Sequence, residues 1–322
     1  MVNKSLSVVI PVFNEADSLP ELFTALISGV EGCRDLGIDS YDIWFVSDGS
    51  TDRSEEIIKE LIKKDSGVRL ISLRRNLGKA AALQAGFRYA EGDIVVTMDS
   101  DLQDDPKEIR DMIIKLEEGY DMVSGWKVNR QDPAEKTLPS KLFNKVTAAA
   151  SGIKLHDFNS GFKAYRKEVI KSIDIYGELH RYIPILADRK GFHITEIPIT
   201  NYKRKYGKSK YGVERYLRGL FDSLTTSFLS RFYSRPMHFF GRLGLIMLLI
   251  GIVICLYLAV IWFMGYGIGD RPLLILGILL VILGVQSIST GFIGDLIVDA
   301  TWRSRNQDGY IKEVIYPDDT NK

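Results

Sequence analysis

Asp99-Ser100-Asp101 sets two carboxylates one residue apart, with Gln103 two positions further on. They follow Asp93-Ile94-Val95-Val96-Thr97-Met98, an apolar, β-branched run of the kind that forms a buried strand. Carboxylates at the C-terminal end of a strand in an α/β sheet stand where such sheets bind ligands. Oxygen donors at this density suit Mg²⁺ or Mn²⁺, with nucleotide phosphates completing the shell. The same residue types also build ordinary polar turns, so the pair alone does not carry the reading. Two further clusters add to it. Asp48-Gly49-Ser50-Thr51-Asp52 closes a second apolar run. There Asp48 can accept from a base N–H, Gly49 allows close backbone approach, and Thr51 or Asp52 can cap the next helix. Arg74-Arg75-Asn76-Leu77-Gly78-Lys79 closes a third run. Its cations and Gly78 could meet phosphates, although a solvated turn would carry the same residues.

The elements that must position these clusters alternate. Leu6 to Val12, Tyr41 to Ser47, Val68 to Leu73, Ile94 to Met98 and Tyr120 to Ser124 read as strands. Helical patterns fall between them, over about 17–31, 52–65 and 79–91, and another helix follows Pro106, a residue suited to a first turn. Alternation of this kind predicts an α/β domain with a largely parallel sheet and right-handed crossovers. No Gly-x-Gly-x-x-Gly follows the first strand, which argues against a dinucleotide fold; Pro11-Val12-Phe13-Asn14-Glu15 stands there instead.

The net charge of +1 conceals a sharp change in composition near residue 235. No charged residue occurs from Leu243 to Gly269, or from Pro272 to Gly294. Each stretch exceeds the roughly 20 residues that span a bilayer as a helix. Two transmembrane helices joined by a short turn are therefore expected. Arg231, Arg235 and Arg242 precede the first, and Arg303, Arg305 and Lys312 follow the second, which predicts that both flanks face the cytoplasm. Pro11, Asn14, Glu15 and Asp17 interrupt the apolar start, so it does not read as a signal peptide. Cys33 lies in the globular part and Cys255 in a span, a placement that does not suit a disulfide.

Between these parts, residues 203–242 hold ten Lys or Arg against Glu214 and Asp222. Val213, Tyr216, Leu217, Leu220, Phe221, Leu224 and Phe228 recur there at helical spacing. A basic amphipathic helix just before a span suits the membrane interface better than a nucleic acid. The expected order is a cytoplasmic α/β domain over 1–210, an interfacial helix over 211–240, two spans over 241–294 and a cytoplasmic tail over 295–322. The whole would be a multi-pass protein of the inner (plasma) membrane.

Taken together, the motifs carry a resemblance. Val9 to Glu15, Asp48 to Asp52, Asn76-Leu77-Gly78 and Met98 to Asp104 resemble the inverting family 2 glycosyltransferases of the GT-A fold. Asp157-Phe158-Asn159-Ser160-Gly161-Phe162-Lys163 and Arg204-Lys205-Tyr206-Gly207-Lys208-Ser209-Lys210 are similar to motifs of its polyprenyl-phosphate branch, which includes the dolichol-phosphate mannose synthases. The two-span tail resembles the bacterial undecaprenyl-phosphate glucosyltransferases of O-antigen glucosylation. The resemblance implies a Rossmann-like GT-A domain with a two-helix anchor and the following roles. Pro11, Phe13, Glu15, Asp48, Gly78, Lys79, Asp99 and Ser100 would hold the nucleotide. Asp99, Asp101 and Gln103 would hold Mg²⁺ or Mn²⁺. Asp157 and Asp101 would be the catalytic carboxylates, and Lys127, Lys136, Ser140, Arg204 and Lys210 would face the lipid phosphate. Ser47 departs from the family, where many members have Asp, and Lys127 and Lys136 stand where the mannose synthases use Arg. A lysine supplies charge without a bidentate fork.

The implied reaction moves a sugar from a nucleotide donor, with UDP-glucose expected, onto a polyprenyl phosphate at the membrane. GDP-mannose is the main competing donor, with UDP-N-acetylglucosamine behind it. A phosphate monoester has a second pKa near 6, so the acceptor is largely dianionic at neutral pH and needs little general base. Positioning two anions is the harder problem, and Asp157 could serve it as well as accept a proton. A processive polysaccharide synthase would carry a Gln-x-x-Arg-Trp motif, which is not present. A non-catalytic nucleotide-binding scaffold would not need Asp99, Asp101 and Asp157 together. No nucleic-acid partner is expected, and self-association into a homo-oligomer is left open.

Overall fold

The computed structural model describes residues 3–128, 144, 148, 151–177, 179–203, 205, 236–269, 271–303 and 311–315. The chain divides into two compact units. One comprises residues 1–227 and 307–322, the other residues 228–306.

The first unit is built on one sheet. Its strands are β1 (Lys4–Val12), β2 (Ile38–Ser47), β3 (Val68–Leu73), β4 (Ile94–Thr97), β5 (Met122–Lys127), β6 (Lys163–Arg166), β7 (Ile194–Ile199) and β8 (Ile311–Ile315). They lie in the order β7-β5-β6-β4-β1-β2-β3-β8. β1 pairs in parallel with both β2 and β4, β2 with β3, and β5 with β7. β6 runs antiparallel between β4 and β5, and β8 antiparallel along β3. The predicted strands over the first five are all present, and the sheet is mostly parallel as expected. β6 was not legible as a strand, because its sequence Lys-Ala-Tyr-Arg has no apolar run.

Helices α1 (Leu19–Glu31), α2 (Ser54–Lys64), α3 (Lys79–Tyr89) and α4 (Ile109–Glu117) fill the crossovers, followed by the shorter α5 (Lys167–Ser172) and α6 (Ile183–Arg189). Strand alternation sorts the core into two layers. Leu6, Val8, Ile10 and Val12 pack with Leu19, Leu22 and Leu26 of α1, Ile58 and Leu61 of α2, and Met112 and Ile113 of α4. On the other face, α3 lies so close to the sheet that a Cβ at Gly86 would fall 2.3 Å from Val9 Cγ1. Strand order reverses direction beside β1, between β2 and β4. In an open α/β sheet that switch point is where the C-terminal strand ends leave a crevice for ligands.

The antiparallel course of β6 matters for the same reason. Thr97, the last residue of β4, pairs with Lys163, the first of β6, and Lys163 pairs in turn with Ser124 of β5. The segment entering β6 is thereby delivered to the edge of the sheet where β4 ends.

The second unit is a hairpin of α7 (Pro236–Phe263) and α8 (Pro272–Arg303). Phe239–Phe263 and Pro272–Ile297 are long and apolar enough to cross a membrane. Gly244 and Gly251 on α7, and Gly277, Gly284 and Gly291 on α8, recur every seven residues and so share a face. A Cβ at Gly244 would lie 2.6 Å from the Gly284 carbonyl oxygen, and one at Gly251 would lie 2.8 Å from Val281 N. Backbone meets backbone along this seam, as small residues permit. Asp295 accepts a hydrogen bond from Met237 N (3.2 Å), supplying an anion to the N-terminal turn of α7. Cys33 and Cys255 are both free.

The expected interfacial helix over 211–240 falls mostly outside the described residues, as do Lys136, Ser140, Arg204 and Lys210.

Candidate active site

The loops after β1 and β2 are clasped together. Asn14, at φ 54°, accepts from Thr51 N through Oδ1 (2.8 Å) and donates its own N–H to Ser50 Oγ (3.2 Å). Asp52 takes Ala16 N (3.1 Å) and Ser54 N (3.0 Å) on separate oxygens, and Ser54 Oγ takes Glu15 N (3.0 Å). The Pro11-to-Glu15 and Asp48-to-Asp52 clusters are thus one surface at the crevice. Ser47 fits its neighbours as a hydroxyl: it donates to Glu55 Oε1 (2.7 Å), which also accepts from Ser72 Oγ (2.5 Å). An aspartate there would set a second carboxylate against Glu55.

Asp48 is buried and accepts from Leu77 N (2.7 Å) through Oδ1 and from Gly78 N (2.9 Å) through Oδ2. Burial pushes its carboxyl above the usual range, and these two N–H groups oppose the rise. Asp48, expected to accept from a base N–H, also anchors the Arg74–Lys79 loop. Gly49 explains its place in the motif, since at φ 64° a Cβ would lie 2.5 Å from Arg75 C and 2.6 Å from Asn76 N. The loop comes down directly on the glycine.

That anchored loop starts α3 at Lys79, whose ammonium pairs with Asp99 Oδ1. Desolvation raises Asp99, but the charges of Lys79 and Lys127 outweigh it and hold the carboxyl below its usual range. The other side of Asp99 is covered by the turn entering β6: a Cβ at Gly161 would lie 2.5 Å from Asp99 Oδ2. Thr97 Oγ1 donates to the Gly161 carbonyl (2.9 Å) and fixes that turn. Gly161 of the Asp157-to-Lys163 motif therefore packs on the first carboxylate of the Asp-x-Asp pair. Leu102 adopts φ 59°, uncommon for a branched side chain, and packs against the core. Ser100 is buried, its carbonyl taking Ser18 Oγ (2.8 Å).

Beyond this turn, Gln103 N donates to Asp101 Oδ1 (3.3 Å), its Nε2 donates to the Tyr202 carbonyl (3.2 Å), and its own carbonyl accepts from Tyr202 N (2.8 Å). Gln103, expected as a metal ligand, thus ties the Asp99 loop to the segment that leads into Arg204. Lys127, expected at the lipid phosphate, points its Nζ to Asp104 Oδ1 at 2.7 Å. Burial would lower the Lys127 ammonium, but Asp104 and Asp99 hold it above its ordinary value.

Asp157 is buried, and its Oδ1 accepts from Asn159 N (3.1 Å) in a turn of its own making. The residue before it is pinned to the sheet. His156 N donates to Glu196 Oε2 (2.8 Å), its ring pairs with Glu196 Oε1, and the ring stacks on Trp126 at 4.1 Å between centroids. Four residues near Asp99 were not singled out from sequence: Asp104, Gly161, Lys163 and His180. The first three lie inside quoted motifs, so their position was a signal. Lys163 is fully enclosed; burial draws its ammonium down to about 7, against the pull of Asp157. His180 sits on the turn Leu179–Tyr182, where burial and the Lys79 charge lower it to about 3. Its Nδ1 has no hydrogen-bond partner among the described residues.

Asp99 and Asp101 supply carboxylate oxygens, the donor type that a divalent cation takes. Mg²⁺ is ordinarily bound through one or two carboxylates with substrate phosphates and water completing its shell. Among the described residues there is no cluster of three or more His, Cys, Asp or Glu, so phosphates would have to complete the shell here. The contact with the Lys79 ammonium shows that Asp99 attracts a cation.

Comparison with known proteins agrees with the fold. The glycosyl transferase family 2 profile matches residues 7–174, which run from within β1 to just past α5. The chain belongs to glycosyl transferase family 2 and is an enzyme of that class. It is 35% identical over 319 residues to the dodecaprenyl-phosphate galacturonate synthase of Rhizobium johnstonii, covering 97% of this chain and 93% of that one. It is 36% identical over 298 residues to the undecaprenyl-phosphate 4-deoxy-4-formamido-L-arabinose transferase of Pseudomonas fluorescens, covering 91% of this chain and 84% of that one. Among solved structures, glucosyl-3-phosphoglycerate synthase from Mycobacterium tuberculosis, in complex with Mn²⁺ and UDP-glucose, shares the fold. Its TM-score is 0.53 at 21% identity, over 70% of this chain and 79% of that one.

Proposed function

We propose that this enzyme transfers a sugar from a UDP-sugar to a polyprenyl phosphate at a membrane surface, with inversion at the anomeric carbon. The observation that carries the reading is the convergence on Asp99 of three separate motifs: the Asp48-anchored loop through Lys79, the Asp-x-Asp turn itself, and the Gly161 turn. A site in which cations and carboxylates alternate at a sheet switch point suits a nucleoside diphosphate. The two relatives named for polyprenyl-phosphate transfer, each matched over more than nine-tenths of this chain, support the acceptor. The two membrane-length helices support a membrane location for the same acceptor.

In this reading the Pro11–Glu15 and Asp48–Asp52 surface receives the nucleoside. Asp99 and Asp101 hold Mg²⁺ or Mn²⁺, which would neutralise charge on the departing diphosphate. Lys79 adds a fixed positive charge beside it. Asp157, buried and engaged with Asn159, positions the turn against Asp99 rather than accepting a proton. The acceptor phosphate is dianionic near neutral pH, so it attacks without a strong base. Arg204 and Lys210 lie downstream of the Gln103–Tyr202 contact and are proposed to meet that phosphate.

UDP-glucose is the proposed donor, from the likeness of the two-span tail to glucosyltransferases. A UDP-uronic acid is the second reading, favoured by the galacturonate synthase relative that covers 97% of this chain. Purified full-length protein offered UDP-glucose, UDP-galacturonate, UDP-N-acetylglucosamine and GDP-mannose with undecaprenyl phosphate tests both. Glucose on the extracted lipid supports the first reading and galacturonate the second. Transfer to water or to a soluble acceptor, with none to the lipid, overturns the reaction class.

A further inference from the structure

The Lys79–Asp99 pair joins two parts of the site that sequence places twenty residues apart. Lys79 owes its position to Asp48, which holds the two preceding backbone N–H groups, and to Gly49, which lets the loop descend. Its ammonium lands on Asp99, the carboxylate that the family reading gives to the metal and diphosphate. Both side chains remain about a third exposed, at 30% and 32%, so the contact is open to exchange. One side of the same carboxylate is closed by the Gly161 turn. A divalent cation approaching Asp99 therefore meets the like charge of Lys79 at the oxygen it needs. A diphosphate brings the opposite charge and gives the ammonium another partner.

We propose that Lys79 guards the metal site: it holds Asp99 until a nucleoside diphosphate draws the ammonium onto its phosphates, and only then does the divalent cation bind tightly. Lys79 thus has two successive partners, Asp99 and the donor diphosphate. It makes cation uptake conditional on donor, so the site is charged for reaction only when there is a leaving group to stabilise. The inference rests on Asp99 being the metal carboxylate, as set out above. No bond is made or broken; one ionic contact is exchanged for another. Asp48 takes part only through the backbone it holds.

The test is a Mn²⁺ titration of the full chain in detergent, reading free Mn²⁺ by its electron paramagnetic resonance signal, with and without UDP. In the wild type, affinity is weak without UDP and rises when UDP is present. In Lys79→Met, Mn²⁺ binds about five-fold more tightly without UDP, the factor expected from releasing a partly exposed ion pair. The gain on adding UDP shrinks correspondingly. Lys79→Gln, which keeps a polar end, should behave in the same way, and far-ultraviolet circular dichroism shows that each variant is folded. Unchanged or weaker Mn²⁺ binding in both variants without UDP overturns the proposal, as does a UDP-dependent gain equal to that of the wild type. A wild-type enzyme that binds Mn²⁺ identically with and without UDP overturns it, whereas Asp99→Asn that still binds Mn²⁺ as tightly as the wild type in the presence of UDP removes the metal role of Asp99 on which it rests. Tight UDP-dependent binding in the wild type with unaltered variants removes the guard alone.

Discussion

Replacing Gly161 by alanine adds one methyl group where Asp99 leaves no room for it. The new Cβ would lie 2.5 Å from Asp99 Oδ2 and 2.6 Å from both Cγ and Oδ1. Ordinary van der Waals contact begins at 3.4 Å, so the carboxylate or the turn must yield by roughly 0.9 Å. The turn is held by Thr97 Oγ1 on the Gly161 carbonyl and by the strand that follows, so most of the movement falls on Asp99. The Asp99 side chain can rotate, which keeps the folding cost near the low end of overpacking, about 1 kcal/mol. For a domain of this size that lowers Tm by roughly 2–4 °C. The catalytic cost is larger, because displacing a reacting group by about 1 Å can cost on the order of 100-fold in rate. The expectation is a kcat reduced about 30- to 100-fold. The assay is transfer of labelled sugar from donor to undecaprenyl phosphate by purified full-length protein, alongside a thermal melt. A variant within about three-fold of wild-type kcat, with Mn²⁺ affinity intact, would refute the claim that this glycine is there to seat Asp99. Gly49→Ala makes the contrast, since it strikes backbone of Arg75 and Asn76 at φ 64° and should damage stability before activity.

Other outcomes follow from the same geometry. Asp101→Asn should nearly abolish transfer while leaving the melt unchanged, and chelation should mimic it; full activity in excess EDTA would remove the metal from the reaction. Ser47→Asp should destabilise the first unit by about 2–4 kcal/mol at pH 8, because it buries a carboxylate against Glu55. The penalty should lessen as pH falls towards 5 and the pair takes up a proton, which urea unfolding at both pH values will show. Lys163 has its ammonium drawn down to about 7 from 10.5, so between these values the unfolded chain binds more protons than the folded one. Wild-type stability should therefore rise with pH across that window, and the stability advantage of Lys163→Met should be largest below pH 7 and shrink towards pH 10; a pH-independent difference would contradict it. Gly284→Leu would drive a side chain onto Leu248 N and the Gly244 carbonyl, at 2.7 and 2.8 Å for its first carbon, and should make the hairpin open at lower detergent stress.

Strands β1 to β4 were legible because each contains an apolar, β-branched run bounded by turn residues, β5 was legible only in part, over Tyr120 to Ser124, and the Asp99 pair was legible from its place at the end of β4. β6, β7 and β8 were not, for physical reasons; β7 carries Glu196 and Pro198, which break its apolar pattern. Lys163 and Arg166 bracket β6, and a buried lysine makes sense only once the pull of Asp157 and the surrounding sheet are known. β8 gains its partner from β3, some 240 residues earlier, which no local pattern records. At the site, nothing local announces that Asp48 also holds the Leu77–Gly78 backbone or that Lys127 pairs with Asp104. Residue type alone does not say which of several polar neighbours a carboxylate will meet. His180 had no signal at all, because what distinguishes it is an enclosed ring nitrogen rather than a motif.

The position of β8 gives the protein an order of manufacture. β3 ends at Leu73, and the strand that covers its outer edge begins at Ile311, on the far side of both long apolar helices. At a synthesis rate of about 5–20 residues per second, that edge stays open for roughly 12 to 48 seconds after β3 is made. During this interval the nascent catalytic sheet presents unpaired backbone, the kind of template that recruits other chains. The ribosome must make the whole hairpin before the sheet can be finished. A catalytic domain freed of its helices by truncation would be left with the same open edge permanently, so loss of the membrane-length segment and aggregation of the enzyme part are coupled through a single five-residue strand.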